Sequence, residues 1–242
     1  KVCEMELEPY IESSYQELAD YVNAYDQKMI MKRENIADRG IWTAKKRYIL
    51  NVWDSEGVRY EEAKLKIMGI EAIKTSTPAP CRKFLKDAFK ILMNGTEDEC
   101  IEYIEKCRKE FKSLSPEEVS FPRTASNVEK WHSSADLYGK GCPIHIRGAI
   151  LYNHWTKKKD IDHKYATIQN GEKIKFCYLK TPNWMHENVI SFIQDFPTEL
   201  DLHKHVDYDL QFSKSFLDPI KVILDCIGWE TERKNTLESF FS

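Results

Sequence analysis

The sequence of 242 residues has no apolar run near the length of about 20 residues that crosses a lipid bilayer. Its N-terminal stretch is acidic and interrupted, so we expect neither a signal peptide nor a membrane partner. The first residue is Lys1 rather than Met, which leads us to expect a fragment or the product of a split gene. Hydrophobic residues make up 42% and charged residues 31%, which excludes a disordered chain and allows one large domain or two small ones.

Paired cysteines are also missing. The seven cysteines are scattered and none forms a C-x-x-C pair, which predicts free thiols in a reducing compartment. The spacings closest to those of metal ligands are Cys142 with His145 and His203 with His205. Neither pair is matched by a clear second pair of ligands that would complete a metal site. We therefore expect no metal site in this chain.

The common enzyme motifs are absent as well. The chain has no P-loop, no G-x-S-x-G, no H-E-x-x-H and no kinase motif set. Its many carboxylates form no obvious catalytic pair. Composition and spacing alone thus indicate an α+β protein without assigning it a function.

The charge is close to balanced, with a net charge of −3 and a sequence pI near 6.2. This balance argues weakly against a nucleic-acid binder. However, acidic residues are concentrated in 4–20, whereas 45–47, 82–83 and 157–159 are basic. Because binding depends on the local field that faces the phosphates, the total charge does not decide the question.

The first 75 residues predict one helix and a pair of antiparallel strands. Apolar spacings of three and four predict a helix over 8–24. The β-forming runs 45–53 and 58–68 flank the turn sequence 54–57, which predicts a hairpin. Beyond this point the pattern changes, and we predict a domain boundary near residue 75.

Residues 76–242 predict a mostly helical domain with a small β insert. An apolar stripe predicts a helix that ends at Asn94-Gly95, and Thr96 with Glu99 forms a capping box for the next helix. The runs 144–152 and 173–179 have β-like patterns, and helical spacing returns over 212–227. The predicted fold class is α+β.

Lys45, Lys46, Arg47 and Tyr48 form the most informative stretch. If they lie on one strand, alternation places Lys46 and Tyr48 on one face and Lys45 and Arg47 on the other. Such a face can contact phosphates and groove edges of DNA. The alternative interpretation is a solvated strand end with no ligand.

The sequence around this stretch resembles the Lys-x-Tyr region of the B-family replicative DNA polymerases of T-even-like bacteriophages. The residues that carry the resemblance are G-I-W-T-A-K-K-R-Y-I-L-N-V-W-D at 40–54, L-K-I-M-G-I-E at 65–71 and S-T-P at 76–78. The segment C-P-I-H-I-R-G at 142–148 is similar to part of the thumb of the same enzymes.

This resemblance implies that 1–75 is the rear part of the polymerase palm and that 76–242 is the thumb with a C-terminal clamp-binding tail. In that family the Lys-x-Tyr motif holds the primer end through the minor groove, a role that falls here on Lys46 and Tyr48. The family's motifs D-x-x-S-L-Y-P, K-x-x-x-N-S-x-Y-G and D-T-D-S are absent. In the family the first and the last of them carry the metal-binding aspartates. The chain should therefore need no cofactor itself, although the whole polymerase would use Mg²⁺. Glu8 is at most a supporting carboxylate, with an ordinary helix-start carboxylate as the alternative.

We predict a DNA-binding surface from the resemblance and the clustering of positive charge. Ser76 and Thr77 precede a helix and could meet a phosphate. For each lysine an ordinary solvated helix face is the alternative. The predicted DNA-binding residues are Lys45, Lys46, Arg47, Tyr48, Ser76, Thr77, Arg82, Lys83, Lys140 and Arg147.

The C-terminus has the spacing of a sliding-clamp peptide, Q-x-x-L-x-x-F-F, with Lys234 in place of the glutamine. One helical turn would place Leu237, Phe240 and Phe241 on one face as anchors for a hydrophobic pocket. The alternative is a terminal turn that packs on its own domain.

These observations predict the C-terminal part of a DNA-directed DNA polymerase, which is not catalytic alone. Its expected partners are primer–template DNA, the sliding clamp and the catalytic part of the polymerase, in the cytoplasm of an infected bacterium. Two other interpretations stay open: a stand-alone DNA- or clamp-binding module without polymerase activity, and a structural interaction protein with a merely solvated cationic strand.

Overall fold

A computed structural model describes residues 2–133 and 136–233 of the chain. The chain is α+β, as predicted, with antiparallel sheets and packed helices. The helices are α1 (Glu8–Tyr21), α2 (Ala79–Asn94), α3 (Glu97–Phe111), α4 (Pro116–Val119), α5 (Val128–Trp131), α6 (Ile144–Lys158), α7 (Tyr208–Phe212) and α8 (Asp218–Ile227). The strands are β1 (Asn35–Ala44), β2 (Arg47–Ser55), β3 (Val58–Met68), β4 (Phe121–Thr124), β5 (His132–Ser133), β6 (Leu137–Tyr138), β7 (Lys173–Tyr178) and β8 (Val189–Phe192).

The N-terminal part consists of α1 and a three-stranded sheet in the order β1-β2-β3. The hairpin predicted from the runs 45–53 and 58–68 is confirmed, because β2 and β3 are antiparallel and meet at the turn after Ser55. The strand β1 was not predicted, and it makes this region a meander rather than a single hairpin. A π-helical turn over Cys3–Leu7 continues into α1.

Two hydrophobic cores organise the rest of the chain. One core lies between α6 and the sheet β4-β7-β8. The other gathers α2, α3 and α8, and it also contains Ile49 of β2 together with Ile70 and Ala72. Residues on both sides of position 75 therefore share one core. The domain boundary at 75 stays a prediction.

The helix caps follow the sequence closely. The predicted capping box of α3 is confirmed, because Thr96 accepts the N–H of Glu99 and the Glu99 carboxylate accepts the N–H of Thr96. Ser115 and Glu118 form the same arrangement at α4. These side chains satisfy backbone N–H groups that have no partner within the helix, and each such cap typically contributes about 1 kcal/mol.

The predicted β-like segment 144–152 is wrong, because these residues form the first part of α6. Isoleucine, alanine, leucine and tyrosine side chains of this helix are buried, so its polar-apolar pattern has little helical periodicity. A short apolar run of this kind does not distinguish a buried strand from a buried helix. The strand predicted over 173–179 is confirmed as β7.

A buried glutamine joins the two cores. Gln211 of α7 donates through its amide nitrogen to the carbonyl of Val119 (2.7 Å) and accepts the N–H of Tyr178 (3.1 Å). Its side chain has no exposed surface, so each of these bonds satisfies a group that would otherwise be buried without a partner. Gln211 thereby holds the helical core against the strand β7.

The contact between α6 and β8 gives the first prediction. A Cβ atom at Gly148 would lie 2.5 Å from Oγ and 2.8 Å from the backbone nitrogen of Ser191. Gly148→Ala should therefore lower the free energy of unfolding by about 1–3 kcal/mol through overpacking. This loss should appear although alanine favours a helix over glycine by about 1 kcal/mol. Urea unfolding monitored by circular dichroism measures it.

The matched control is Gly139→Ala, since the nearest atom to a Cβ there is 3.9 Å away. This control should leave the free energy of unfolding nearly unchanged. A Gly148→Ala protein as stable as the wild type would show that α6 and β8 do not pack this closely.

Candidate nucleic-acid interface

Lys45 and Lys46 form the two-residue turn between β1 and β2, with Ala44 paired to Arg47 across it. The prediction that both lysines lie on a strand and point to opposite faces by alternation is therefore wrong. The lysines stand at the reversal because the chain before them forms β1. Lys46 has a left-handed backbone (φ 62°), which costs a non-glycine residue about 1–2 kcal/mol. Both side chains are exposed.

Gly69 supports this turn from below. It follows β3 directly, has a φ of 67°, and lies so close to the turn that a Cβ there would be 2.4 Å from the carbonyl oxygen of Lys46. Only glycine combines this backbone conformation with this approach. The polymerase-like segment 65–71 thus contains the residue on which the turn rests.

Tyr48 and Arg47 lie on opposite faces of β2. Tyr48 is paired across the strands with Trp42 of β1, so the two rings share one face, and 64% of Trp42 is exposed. Arg47 instead contacts Glu71 (3.0 Å), which also binds Lys74 (2.8 Å). Burial alone would raise the pKa of Glu71, but the bond from Lys74 and the charge of Arg47 lower it. Arg47 therefore ties β2 to the segment after β3, and Tyr48 with Trp42 faces outward.

A cationic groove lies between β3 and α2. It has a volume of about 760 Å³ and is lined by Lys66 and Ile67 on the strand side. The basic side chains on the helix side are Arg82, Lys83, Lys86 and Lys90. They share one face of α2 because their spacings are three and four residues. Lys90 is partly neutralised by Asp87 (2.9 Å), and Lys83 and Lys86 are exposed.

The turn and the groove are close along the sheet. Ile67, which lines the groove, is paired with Ile49, and Ile49 lies two residues after Arg47. The side chain of Arg39 in β1 donates to the carbonyl of Met93 at the end of α2, which fixes the helix against the sheet. The predicted residues 45–47 and 82–83 are therefore brought to neighbouring parts of the chain's surface, whereas Tyr48 lies on the sheet face opposite to Ile49 and α2.

Ser76 and Thr77 lie just before α2, beside a second cationic groove. Thr77 is buried, and the carbonyl of Ser76 accepts a bond from Arg123 of β4 (2.8 Å). The groove is also lined by Lys173 and Lys175 of β7. Burial lowers the pKa of the Arg123 guanidinium, and no ion pair of Arg123 is found within the described residues.

Lys140 and Arg147 lie elsewhere and differ in availability. Lys140 is exposed in the loop before α6. Arg147 is held within the fold, because it donates to Asn188, lies 4.0 Å from a carboxylate oxygen of Glu187 and stacks on Tyr138. A phosphate would have to compete with these contacts at Arg147.

Glu8 has a structural role in the described part of the chain. Its carboxylate accepts the backbone N–H of Arg33 (3.2 Å), and the side chain of Arg33 pairs with the buried Asp54. The hydrogen bond from Arg33 holds the pKa of Asp54 below its usual range.

No group of three or more metal-ligating side chains is found in residues 2–133 and 136–233. Leu237, Phe240 and Phe241 lie outside the described residues.

Sequence reasoning did not select Trp42, Lys66, Arg123, Lys173 and Lys175. Trp42 lies inside the polymerase-like run, but only the register of β1 with β2 shows that it flanks Tyr48. The other four are isolated in the sequence and meet a groove only through folding.

The seven cysteines are free thiols, as predicted. No helix of the described residues is both long and apolar enough to span a bilayer.

An exposed cationic turn beside a cationic helix face has the chemistry of a surface that binds a polyanion. Comparison with known proteins gives this surface a context. The chain is 31% identical over 247 residues to the DNA-directed DNA polymerase of Enterobacteria phage T4. This match covers 97% of the chain and 27% of that protein. It is also 34% identical over 254 residues to the DNA-directed DNA polymerase of Escherichia phage RB69. This match covers 100% of the chain and 28% of that protein.

These similarities confirm the predicted resemblance to part of a T-even phage DNA polymerase. The chain spans little more than a quarter of the length of these relatives. No protein-family model matches it.

The contact between Gly69 and the turn gives a second prediction. Gly69→Ala should strain the backbone at positive φ and push the carbonyl of Lys46 away, so it should both destabilise the chain and weaken duplex DNA binding. We expect a loss of about 2–4 kcal/mol in the free energy of unfolding, from backbone strain and overpacking together. Urea unfolding and fluorescence anisotropy with a labelled duplex measure the two effects.

Gly57→Ala is the matched control, because Gly57 also has a positive φ (88°) but no atom lies within 4 Å of its Cβ position. It should show the backbone strain alone and keep its affinity for DNA. Equal effects of the two substitutions on DNA affinity would mean that the turn does not contact the duplex.

Proposed function

We propose that this chain is the part of a T-even-type replicative DNA polymerase that grips primer–template duplex. In this proposal 1–75 is the rear of the palm and 76–242 is the thumb. The observation that carries it is that the sheet bearing the polymerase-like turn of Lys45 and Lys46 also lines the groove formed with the cationic face of α2. The similarity to two phage DNA polymerases, which covers 97% and 100% of this chain, supports the same assignment.

The turn and its aromatic pair suit the minor groove at the primer end. Lys46 projects from a reversal supported by Gly69, and Tyr48 lies beside Trp42 on the adjoining sheet face. The minor groove presents similar acceptors for every correct base pair, so a lysine there senses pairing geometry without choosing a sequence. This is the recognition that a copying enzyme needs.

The helix face suits the phosphate backbone of the duplex. Arg82, Lys83 and Lys86 offer several positive charges on one side of α2, and only Asp87 interrupts the lining of this groove with a negative charge. Contacts of this kind supply affinity and position rather than sequence information. The groove lined by Arg123, Lys173 and Lys175 offers a second site for a phosphate. Like α2, these three residues belong to the segment 76–242.

Nucleotide addition would require the remainder of the enzyme. Two-metal phosphoryl transfer needs carboxylates that hold Mg²⁺, and the motifs that would carry them are absent from this sequence. The whole polymerase would extend a primer in the infected bacterial cytoplasm, and another polypeptide segment would supply the aspartates. The C-terminal tail would bind the sliding clamp through Leu237, Phe240 and Phe241.

Charge removal on α2 tests the duplex grip. Lys83→Ala with Lys86→Ala should weaken binding to duplexes of different sequence alike. It should also reduce the slope of log K against log salt by about 2, because each phosphate contact contributes about 1. Fluorescence anisotropy titrations at several salt concentrations measure both quantities.

The control pair is Lys109→Ala with Lys221→Ala, which removes two exposed lysines from α3 and α8, outside both cationic grooves. It should leave the slope unchanged. If both pairs change the slope equally, DNA binding is a diffuse effect of charge and the groove is not the binding surface.

The tail gives a separate prediction about the clamp. Phe240→Ala with Phe241→Ala should abolish binding to the sliding clamp, because two phenyl rings would each contribute about 1.5–3 kcal/mol of burial before ordering costs. Affinity for a short primer–template should stay the same. Calorimetric titration of the chain with the clamp of phage T4 or RB69 measures the first effect. Normal clamp binding by the double variant would disprove the tether.

A further inference from the structure

The helix α1 presents its apolar side to solvent. Residues 7, 10, 11, 15, 18, 21 and 22 form one stripe at helical spacing, as the sequence predicts for a face that packs on a core. In the folded chain one side of this stripe is uncovered, since Tyr10 is 72% exposed, Tyr21 is 87% exposed and Leu18 is also exposed. Ile11 and Tyr15, on its other side, are half-buried. Ala19 is the buried residue of this helix.

The exposed apolar surface continues on both sides of the helix. Met5 precedes it, and Tyr25 and Ile30 follow it, each with most of its surface exposed. Beyond residue 70, large apolar side chains are exposed at few of the described positions, namely Ile73, Trp184 and Val222. A concentration of this kind in one segment marks an interaction site, whereas scattered single residues do not.

Contacts behind the helix fix its position. Glu8 accepts the backbone N–H of Arg33, and the side chain of Arg33 pairs with both Glu4 and the buried Asp54 at the end of the sheet. These contacts attach α1 to the sheet through one side of the helix and leave Tyr10, Leu18 and Tyr21 exposed. The surface is thus held in place and does not depend on a partner for its position.

The charges around the stripe restrict what covers it. Glu12, Glu17 and Asp20 are exposed along α1, and Glu6 is exposed just before it. These carboxylates would repel anionic lipid headgroups, which favour helices with a basic polar face. They would also repel a second copy of the same helix. A polypeptide with an apolar centre and a basic rim fits the surface.

We infer that the apolar face of Met5, Tyr10, Leu18, Tyr21, Tyr25 and Ile30 is the docking surface for the aspartate-bearing remainder of the polymerase. This inference rests on the proposed function. The relatives have more than three times the length of this chain, so most of such an enzyme lies outside it. None of these six residues lines the cationic groove of α2, so the same chain can hold the duplex and dock that remainder.

The test uses the full chain and the phage RB69 polymerase from which the matched segment has been deleted. The two polypeptides should form a one-to-one complex in analytical ultracentrifugation. Tyr10→Ser with Tyr21→Ser should raise the Kd of this complex by about tenfold or more, as expected for truncated aromatic anchors. Gln16→Ser, outside the apolar stripe and without a charge to lose, controls for lost helix propensity and should leave the Kd unchanged. Duplex affinity should be the same in both variants.

Three results would overturn the inference: no complex with the wild-type chain, an unchanged Kd for the tyrosine variant, or self-association of the chain through this face. None of them bears on the duplex grip, which the salt dependence of the lysine variants tests independently. Conversely, a normal complex formed by a chain that fails to bind duplex would reject the proposed DNA grip and leave the docking surface in place.

Discussion

The burial of Ile49 is the constraint on which the candidate interface depends. This side chain of β2 has no exposed surface and belongs to the core formed by α2, α3 and α8. It therefore fixes the sheet against the helices, and with it the distance between the turn at Lys46 and the cationic face of α2. Three further contacts hold the turn, the sheet and α2 together. They are the approach of Gly69 to the carbonyl of Lys46, the ion pair of Arg47 with Glu71, and the bond from Arg39 to the end of α2. Loss of this packing would leave both cationic elements intact but unrelated in space.

Local signals in the sequence predicted much of the fold correctly. The hairpin of β2 and β3, the end of α2 at Gly95 and the capping box of Thr96 each depend on a few neighbouring residues, so they can be deduced without tertiary information. The helix α6 was mistaken for a strand because burial on most sides removes the period that distinguishes the two. The strand β1 was not predicted. Because the chain before Lys45 was not recognised as a strand, Lys45 and Lys46 were wrongly assigned to a strand rather than to a turn.

The same distinction applies to the candidate site. Clusters that are continuous in sequence, such as 45–48 and 82–83, could be selected directly. Arg123 and Lys175 could not, because β4 and β7 bring them together from distant parts of the chain. Arg147 could also be selected directly, but its contacts with Asn188 and Glu187 depend on the fold and could not be deduced from the sequence. The apolar stripe of α1 was predicted as a helix face, but only the structure shows that Leu18 and Val22 are exposed while Ile11 and Tyr15 are half-buried.

A net charge of −3 is compatible with this account because the charges are separated. Acidic residues lie along α1, and basic residues lie at the turn and along α2, so in the proposed function the two signs face different partners. The most direct test of the central claim is amide hydrogen exchange of the chain with and without a saturating primer–template duplex. We predict new protection at 45–48 and 82–90, with no change in α1. Protection confined to other segments at saturation would contradict the assignment of this surface to DNA.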